Sequence, residues 1–296
     1  MQLELKNITK SFTGKEVLKG ISLCAESGTA FGLLGRNGAG KTTTIRILMN
    51  VFPADSGEIL IDGQKIDYNT IKLGYLPEER GLYPKKKIND QLLYFAELNG
   101  MRAKDAQKSI DRWLDRLGMA EYKNQKLNTL SKGNQQKIQL ITALAHDPDI
   151  IILDEPFSGL DPVNAMLLKE VVKEEIARGK IVLFSSHQMN YIEEFCDCIA
   201  ILNGGKIALS GALKEIKHSM SGNKIALCTP EKERIFAEYG SRCTENEDGE
   251  LIIQLDEKGA LQSEIQKITA EYEIESVRVY EPSLNDIFVA YAGDQV

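Results

Sequence analysis

The first residues with a chemically informative spacing form a glycine-rich stretch, GRNGAGKTT, which runs from Gly35 to Thr43. It fits the pattern G-x-x-x-x-G-K-[ST] and lies between a short apolar run at 31–34 and a segment with helical pattern. Glycines let the backbone wrap around a phosphate, and N–H groups at a helix N-terminus attract its charge. The sequence therefore predicts a phosphate-binding loop with these members: Gly35, Arg36, Asn37, Gly38, Ala39, Gly40, Lys41, Thr42 and Thr43. The alternative is a glycine-rich turn in which the lysine has no role.

A pair of acids supplies the second candidate group, because the apolar run IIIL at 150–153 ends in Asp154 and Glu155. Asp154 at the carboxyl end of a buried strand is placed to contact Mg²⁺, together with the Thr42 hydroxyl. Glu155 is placed to polarise an attacking water, and Lys41 to reach terminal phosphates. The alternative is a strand that ends in surface acids. Phosphate-binding loops serve kinases, GTPases and helicases alike, so these residues leave the class open.

Two patterns predict the elements that position these residues: alternation of polar and apolar residues for strands, and apolar residues at helical spacing for helices. Glycines divide 2–35 into strands, and a buried-type strand ends at the two acids. We predict helices at 42–52 (ended by Pro53), 89–119, up to about 145, 163–177 and 189–195, and strands at 58–62, 64–66, 150–153, 180–185 and 198–209. Together they indicate an α/β layer.

The pattern changes after about His218, where the small polar segment SMSGN is a plausible linker. We predict strands at 224–228, 242–246, 250–255 and 275–280, with helices between them and one at the end. The order β-α-β-β-α-β is typical of a ferredoxin-like fold. We therefore predict one domain at 1–218 and a small α+β domain at 219–296.

Composition narrows the functional classes. The chain has 296 residues, and 36 basic against 43 acidic residues give a net charge of −7, so we expect no nucleic-acid partner. Five cysteines without a CxxC pair indicate reduced thiols in a cytosolic protein, and Cys196 with Cys198 supplies too few ligands for zinc. No apolar run approaches the roughly 20 residues that span a bilayer, and the N-terminus lacks a signal-peptide core. We expect any membrane part to come from another chain.

The segment LSKGNQQ, from Leu130 to Gln136, resembles the signature motif LSGGQ of the nucleotide-binding subunits of ABC transporters. That motif caps a helix and contacts the γ-phosphate bound by a partner subunit. The physics agrees, because a serine and a glycine backbone before a helix can donate hydrogen bonds to an anion. The matching residues are Ser131, Lys132, Gly133, Asn134 and Gln135. An ordinary serine cap is the alternative reading.

Other motifs follow in the order of the same family over about residues 1–220. Asp161 in SGLD is similar to the D-loop at the dimer interface, and His187 after IVLFSS to the switch histidine at the γ-phosphate. Phe12 is similar to the aromatic residue that stacks on adenine, although an aromatic in a strand is often core. Glu78 in GYLPEER stands where the family usually has glutamine, and a carboxylate can still bind Mg²⁺ there.

The signature also departs from the family, with Lys132 and Asn134 in place of glycine and glutamine. Lys132 either adds positive charge near the partner's phosphate or faces solvent, and the sequence leaves both readings open. The resemblance implies a P-loop NTPase sheet, an antiparallel β subdomain and a helical subdomain at about 84–146. It also implies hydrolysis of ATP with Mg²⁺, catalysed by Lys41, Glu155 and His187 in a dimer with a second copy or a close relative.

The segments GYLPEERGLYPK and EPSLNDIFVAYAG resemble subunits that pair with ABC-2 type permeases, similar to bacterial sodium or drug exporters. The resemblance implies an exporter motor on the cytoplasmic face of the cell membrane, with its permease bound at about 74–100. One alternative is a soluble ABC ATPase acting on ribosomes or DNA; such proteins usually carry two nucleotide domains or a long coiled-coil insertion. Another is a regulatory module whose C-terminal domain senses a ligand.

Overall fold

The computed structural model describes residues 1–79, 81–246, 249–255 and 261–292. The chain divides into two compact units, Met1–Ala212 with Ala290–Val296, and Leu213–Val289. The first contains β1 (Gln2–Phe12), β2 (Lys15–Glu26), β3 (Ala30–Gly35), α1 (Lys41–Leu48), β4 (Ser56–Ile61), β5 (Gln64–Lys65), β6 (Leu73–Leu76), α2 (Ile88–Leu98), α3 (Ala103–Arg116), α4 (Lys132–Leu144), β7 (Ile150–Asp154), α5 (Pro162–Ala177), β8 (Ile181–Ser185), α6 (Met189–Phe195), β9 (Cys198–Asn203) and β10 (Lys206–Ala212). The remaining elements are α7 (Leu213–Ser221), β11 (Lys224–Cys228), α8 (Lys232–Tyr239), β12 (Cys243–Glu245), β13 (Leu251–Gln254), α9 (Leu261–Glu271), β14 (Ser276–Val279) and α10 (Leu284–Ala292).

A six-stranded mixed sheet, in the order β10-β9-β3-β8-β7-β6, organises the first unit. Strands β9, β3, β8, β7 and β6 pair in parallel, and β10 adds an antiparallel edge. Every residue of β3, β7 and β8 is buried, as expected for strands covered on both faces. Because parallel strands end at the same edge, Gly35, Asp154 and Ser185 lie at one edge of the sheet.

The second sheet is antiparallel, in the order β2-β1-β4-β5. Its inward residues, such as Leu5 and Leu23, share one apolar core with Phe31 and Ile152 of the mixed sheet and Ile45 of α1. The phosphate-binding loop therefore leaves a strand and enters a helix that are both anchored in this core.

Helix α1 ends at Leu48, so the prediction that it continues to residue 52 was wrong. Asn50 adopts a left-handed conformation with φ of 56°, and Val51 N–H donates to Arg46 O at 2.9 Å. These features define a Schellman stop, which asparagine can supply in place of glycine. The stop comes before Pro53 has any effect.

Helices α2, α3 and α4 form the helical part of the first unit. The predicted helical stretch at 89–119 contains two helices, because Gly100 takes a φ of 83° between them. Trp113 and Leu114 of α3 are buried, and α4 packs against both α2 and α3. This group positions the turn that begins at Ser131.

The second unit contains the predicted β-α-β-β-α-β order, β11-α8-β12-β13-α9-β14. Its antiparallel sheet has the order β12-β13-β11-β14, which is a ferredoxin-like arrangement. Ile225, Leu227, Leu251, Ile253 and Ile268 form part of its apolar core. The predicted α/β fold class with an added α+β domain is confirmed by these sheets, and for the first unit also by the solved structure reported below.

The segment SMSGN is not an extended linker, because α7 continues to Ser221. Ser219 and Ser221 donate their hydroxyls to Ile216 O and His218 O, bonds that a small polar composition does not reveal. The domain boundary after residue 218 stays a prediction, and the compact units separate at Leu213.

Among the described residues, none of the helices combines the length and the apolarity needed to cross a bilayer.

Candidate functional site

The glycine-rich loop connects the last residue of β3, Gly35, to the first residue of α1, Lys41. Gly38 has a φ of 82° and Gly40 of 117°, conformations that favour glycine. A Cβ at Gly40 would also lie 2.5 Å from Leu18 Cδ2, so no side chain fits there without movement. The loop therefore needs its glycines both for backbone conformation and for space.

The Lys41 ammonium lies against the loop that precedes its own helix. Its Nζ donates to Gly35 O at 2.6 Å. Burial lowers the pKa of Lys41, and the nearby carboxylates of Glu155, Asp154 and Glu78 oppose that shift. A cation in the loop thus faces the three acids predicted to act on a nucleotide and its metal ion.

Glu155 follows β7 directly and is held by groups that follow β8. Its Oε2 accepts from Ser186 Oγ at 2.9 Å, and its Oε1 accepts from His187 N at 2.7 Å. The His187 ring Nδ1 lies 2.6 Å from Oε1. Glu155 also has a φ of 50°, a costly conformation for a residue other than glycine, of the kind that collects at functional sites.

These contacts place the glutamate and the histidine in one arrangement. The Glu155 side chain is only 6% exposed, whereas that of His187 is 67% exposed. A fixed carboxylate beside an exposed imidazole can orient a water molecule and stabilise charge on a phosphate next to it. Ser186 was not among the predicted residues, although it directly precedes His187.

Asp154 is 7% exposed at the end of β7, and Tyr75 Oη of β6 donates to its Oδ2 at 3.4 Å. Burial raises the pKa of Asp154, and the nearby Lys41 only partly offsets this. Burial of Tyr75 itself and the negative charge of Asp154 raise the pKa of Tyr75 to about 12, so its hydroxyl stays a donor at neutral pH.

The donor set fits Mg²⁺, which takes oxygen ligands and commonly uses one or two carboxylates with substrate phosphates. Thr42 offers a hydroxyl on the exposed side of α1, and Asp154 and Glu78 offer carboxylates. Within the described chain no group of three or more His, Cys, Asp or Glu side chains could hold a metal by itself. Mg²⁺ bound by these residues would complete its oxygen ligands with nucleotide phosphates and water.

Replacing Asp154 with Asn is expected to stabilise the nucleotide-free protein while weakening Mg²⁺-dependent ATP binding. A raised pKa means that the folded state disfavours the ionised carboxylate, so at neutral pH this charge costs stability. Each kcal/mol regained raises the unfolding midpoint by roughly 2–4 °C in a domain of this size. Thermal unfolding at several pH values checks this, with exposed Asp115→Asn as the control. The gain should shrink as the pH falls below the raised pKa and vanish below the ordinary pKa of an aspartate, and a lower midpoint at neutral pH would contradict it.

The turn resembling the ABC signature begins α4, with Ser131 as its N-cap. Asn134 N donates to Ser131 Oγ at 3.3 Å, and Gln135 Nε2 donates to Leu130 O at 2.9 Å. Ser131 and Lys132 are exposed. Helix α4 packs mainly against β6, α2 and α3, whereas α1 packs mainly against β2 and β3. Within one chain the helices that follow the signature turn and the phosphate-binding loop therefore pack against different main neighbours.

Asp161 is the N-cap of α5, and its Oδ1 accepts from Val163 N and Asn164 N, each at 3.0 Å. Asn164 Nδ2 lies 2.8 Å from where a Cβ on Gly133 would stand. Glycine at 133 therefore lets the start of α4 approach the start of α5. Asp161 has a capping role within the chain, in addition to its predicted place at a dimer interface.

Phe12 ends β1 and is 41% exposed. Its ring meets Phe52 edge-on at 5.4 Å, and Lys10 Nζ lies 5.5 Å from the ring centre. Lys10 also binds Asp55 at 2.7 Å. The aromatic residue is thus a surface platform, and the predicted contact with adenine remains a proposal.

Glu78 follows β6 in an exposed turn, and no hydrogen bond or ion pair holds its carboxylate among the residues that the structure describes.

Sequence reasoning missed two buried or half-buried amides on α4 that reach loop carbonyls. Gln136 Nε2 donates to Pro156 O at 2.5 Å, and Gln139 Nε2 donates to Pro77 O at 3.2 Å. Their spacing of three residues next to the signature was the available signal.

Comparisons with known proteins agree with this geometry. The family model for ABC transporters matches residues 18–158, and the model for the DrrA1-3-like ATP-binding protein, C-terminal domain, matches 211–292. The ABC transporter ATP-binding protein YhaQ of Bacillus subtilis (strain 168) is 42% identical over 98% of this chain and 98% of its own length. The linearmycin resistance ATP-binding protein LnrL of the same organism is 32% identical, again over 98% of both chains.

A solved structure shares the fold of the first unit. The dimeric structure of MJ0796, a bacterial ABC transporter cassette, superposes with a TM-score of 0.64 at 25% identity, over 71% of this chain and 98% of that one. The phosphate-binding loop, the acids after β7 and the similarity to YhaQ over nearly the whole chain lead to one assignment. This chain belongs to the ABC transporter ATP-binding proteins and is an ATP-binding, ATP-hydrolysing cassette.

Proposed function

We propose that this chain is the motor subunit of an exporter, in which ATP binding, dimer closure and hydrolysis drive a separate ABC-2 type membrane permease. The observation that carries the proposal is the Glu155 carboxylate, fixed by Ser186 and His187 at the sheet edge where the Lys41 loop begins. Such a group serves hydrolysis, and not merely the binding of a nucleotide.

In this proposal a water molecule attacks the γ-phosphate in line with the leaving oxygen. Glu155 orients that water, and Lys41 and His187 stabilise the negative charge that develops on the phosphoryl oxygens. Thr42, Asp154 and Glu78 would hold Mg²⁺, which would neutralise phosphate charge. Phe12 stacks on the adenine ring.

The second half of each site comes from another subunit, which we propose to be a second copy of this chain or a close relative. Ser131 and the backbone of Gly133 stand exposed or half-exposed at the N-terminus of α4, where they can donate to an anion. Because Ser131 and Gly133 are not buried against their own chain, these donors can serve a nucleotide held by a partner. The dimeric structure of the related cassette MJ0796 supports this arrangement.

The surface proposed to bind the permease contains exposed apolar side chains near the Glu78 turn. Tyr83 is 53%, Tyr94 50% and Leu98 64% exposed, and both tyrosine rings pack against Phe95. Exposed aromatic and aliphatic residues that lie close together are typical of protein-binding surfaces. We name the group of Tyr83, Tyr94, Phe95 and Leu98 the aromatic surface.

Export as the direction of transport is supported by relatives. LnrL is a linearmycin resistance protein, and the Nod factor export ATP-binding protein I of Burkholderia lata is 33% identical over 71% of this chain. We further propose that the chain works at the cytoplasmic face of the membrane, with 1–218 as its ATP-binding domain and 219–296 as an accessory domain. No nucleic-acid partner is part of this proposal.

The double substitution Tyr94→Glu with Leu98→Glu is expected to release the permease while ATP hydrolysis by the isolated chain continues. Placing charges in a central apolar contact costs about 2 kcal/mol or more, which is roughly thirtyfold in affinity. Affinity purification from detergent-solubilised membranes, with mass spectrometry of the associated proteins, measures the effect.

The matched control is Lys108→Glu, an exposed charge change on α3 outside the aromatic surface. It should retain the permease. Co-purification of ribosomes or DNA without any membrane protein would contradict the transport assignment. Unchanged permease recovery with the double variant would contradict the aromatic surface alone.

A further inference from the structure

Gln139 is a polar side chain in the buried part of α4. It is 6% exposed, and its neighbours in sequence, Ile138 and Leu140, are core residues. Its Nε2 donates to Pro77 O at 3.2 Å and to Glu79 O at 3.1 Å. These two carbonyls stand on either side of Glu78, so one amide group holds the turn that presents the Glu78 carboxylate.

The burial of an amide is costly unless it is hydrogen-bonded, whereas an apolar residue could fill this place without that cost. The two bonds to the turn are therefore the specific contribution of glutamine at this position. Since no described side chain binds the Glu78 carboxylate, the backbone of the turn sets its position. Strand β6 fixes the start of this turn, and the contact from Gln139 ties the turn on both sides of Glu78 to helix α4.

Helix α4 carries a second amide of the same kind. Gln136 lies three residues earlier, on the same face of the helix, and its Nε2 donates to Pro156 O beside Glu155. The helix begins at Ser131, the cap of the signature turn. One rigid helix thus connects the turn that meets a partner's nucleotide with the loops that carry Glu78 and Glu155 of its own site.

We propose that Gln139 is a positioning residue that holds the Glu78 turn against α4, so that engagement of Mg²⁺ by Glu78 depends on the placement of the signature helix. This inference rests on the proposed role of Glu78 as a metal ligand. It gives α4 a function within its own site, in addition to the one proposed for Ser131 in the partner's site.

The test is Gln139→Met in the full chain, which keeps the length of the side chain and removes both donors. Loss of an outer contact that orients a ligand typically costs 10–100-fold, so we expect the Mg²⁺ concentration for half-maximal ATPase activity to rise about tenfold. Binding of a fluorescent ATP analogue in EDTA should not change. Pro77 is half-buried and Glu79 exposed, so water can replace the lost bonds and the fold should persist.

Thr142→Val is the matched control, because the Thr142 hydroxyl donates only to Ile138 O within the same helix. Gln139→Leu serves as a second variant, and unfolding midpoints are measured for all. A merely structural role would lower the midpoint without changing the Mg²⁺ requirement, and that result would overturn the inference.

A double-mutant cycle separates this inference from the proposed function. Glu78→Ala should raise the Mg²⁺ requirement, and adding Gln139→Met should raise it no further. An effect of Glu78→Ala with none of Gln139→Met would overturn the role of Gln139 and leave Glu78 as a ligand. No effect of Glu78→Ala on the Mg²⁺ requirement would overturn the metal assignment itself, and the inference with it.

Discussion

Replacing Glu155 with Gln is expected to lower ATP turnover about 10²–10⁴-fold while ATP binding is retained. The amide keeps the size of the side chain; its one oxygen can still accept from His187 N, and its nitrogen can donate to Ser186 Oγ, which now acts as the acceptor. It lacks the negative charge that orients and polarises the attacking water. Phosphate release under saturating ATP, together with equilibrium binding of ATP, measures both quantities.

Glu121→Gln, an exposed substitution with the same chemical change, is the control and should turn over at the normal rate. A Glu155→Gln variant with unaltered turnover would remove Glu155 from its proposed role. A variant that no longer binds ATP would mean that the carboxylate is needed to shape the site. In that case the residue that orients the attacking water would still have to be identified.

Replacing Lys41 with Ala is expected to weaken ATP binding and turnover about 10²–10³-fold, the loss typical of a deleted charge-stabilising donor. In the present structure the Lys41 ammonium counters the charges of Glu155, Asp154 and Glu78. Without it, a triphosphate would approach three carboxylates whose charges Lys41 no longer counters. Losing the attraction between Lys41 and the phosphates weakens ATP binding, and so does the repulsion from the carboxylates.

The exposed substitution Lys65→Ala controls for the removal of a positive charge elsewhere on the chain. Titration with ATP in the presence of Mg²⁺ measures the affinities. If Lys41→Ala bound ATP as tightly as the unaltered chain, the glycine-rich loop would not be the phosphate site.

The sequence predicted the elements whose own composition determines them. The run IIIL ahead of Asp154 is apolar at every position, and the structure buries the strand completely. The short apolar runs around Ile225 and Ile253 likewise predicted two strands of the second unit to within a residue or two. Both patterns are local, so they can be recognised without knowledge of the rest of the chain.

Features that depend on one residue's conformation or on a distant partner were missed. The end of α1 depends on the left-handed conformation of Asn50, to which a helical pattern gives no clue. The bonds from Tyr75 to Asp154 and from Gln139 to the Glu78 turn join segments that are 60 or more residues apart along the chain. A motif identifies residues that touch the nucleotide, but it does not identify the neighbours that hold them in place.

The central claim is that the Lys41 loop forms one half of an ATP site that a second subunit completes through Ser131. The most direct test is the molar mass of the Glu155→Gln variant by light scattering, with and without ATP. We predict that ATP doubles the mass, and that adding Ser131→Arg prevents this although ATP still binds. A dimer that forms regardless of Ser131→Arg, or a Glu155→Gln variant that binds ATP and stays monomeric, would contradict the claim.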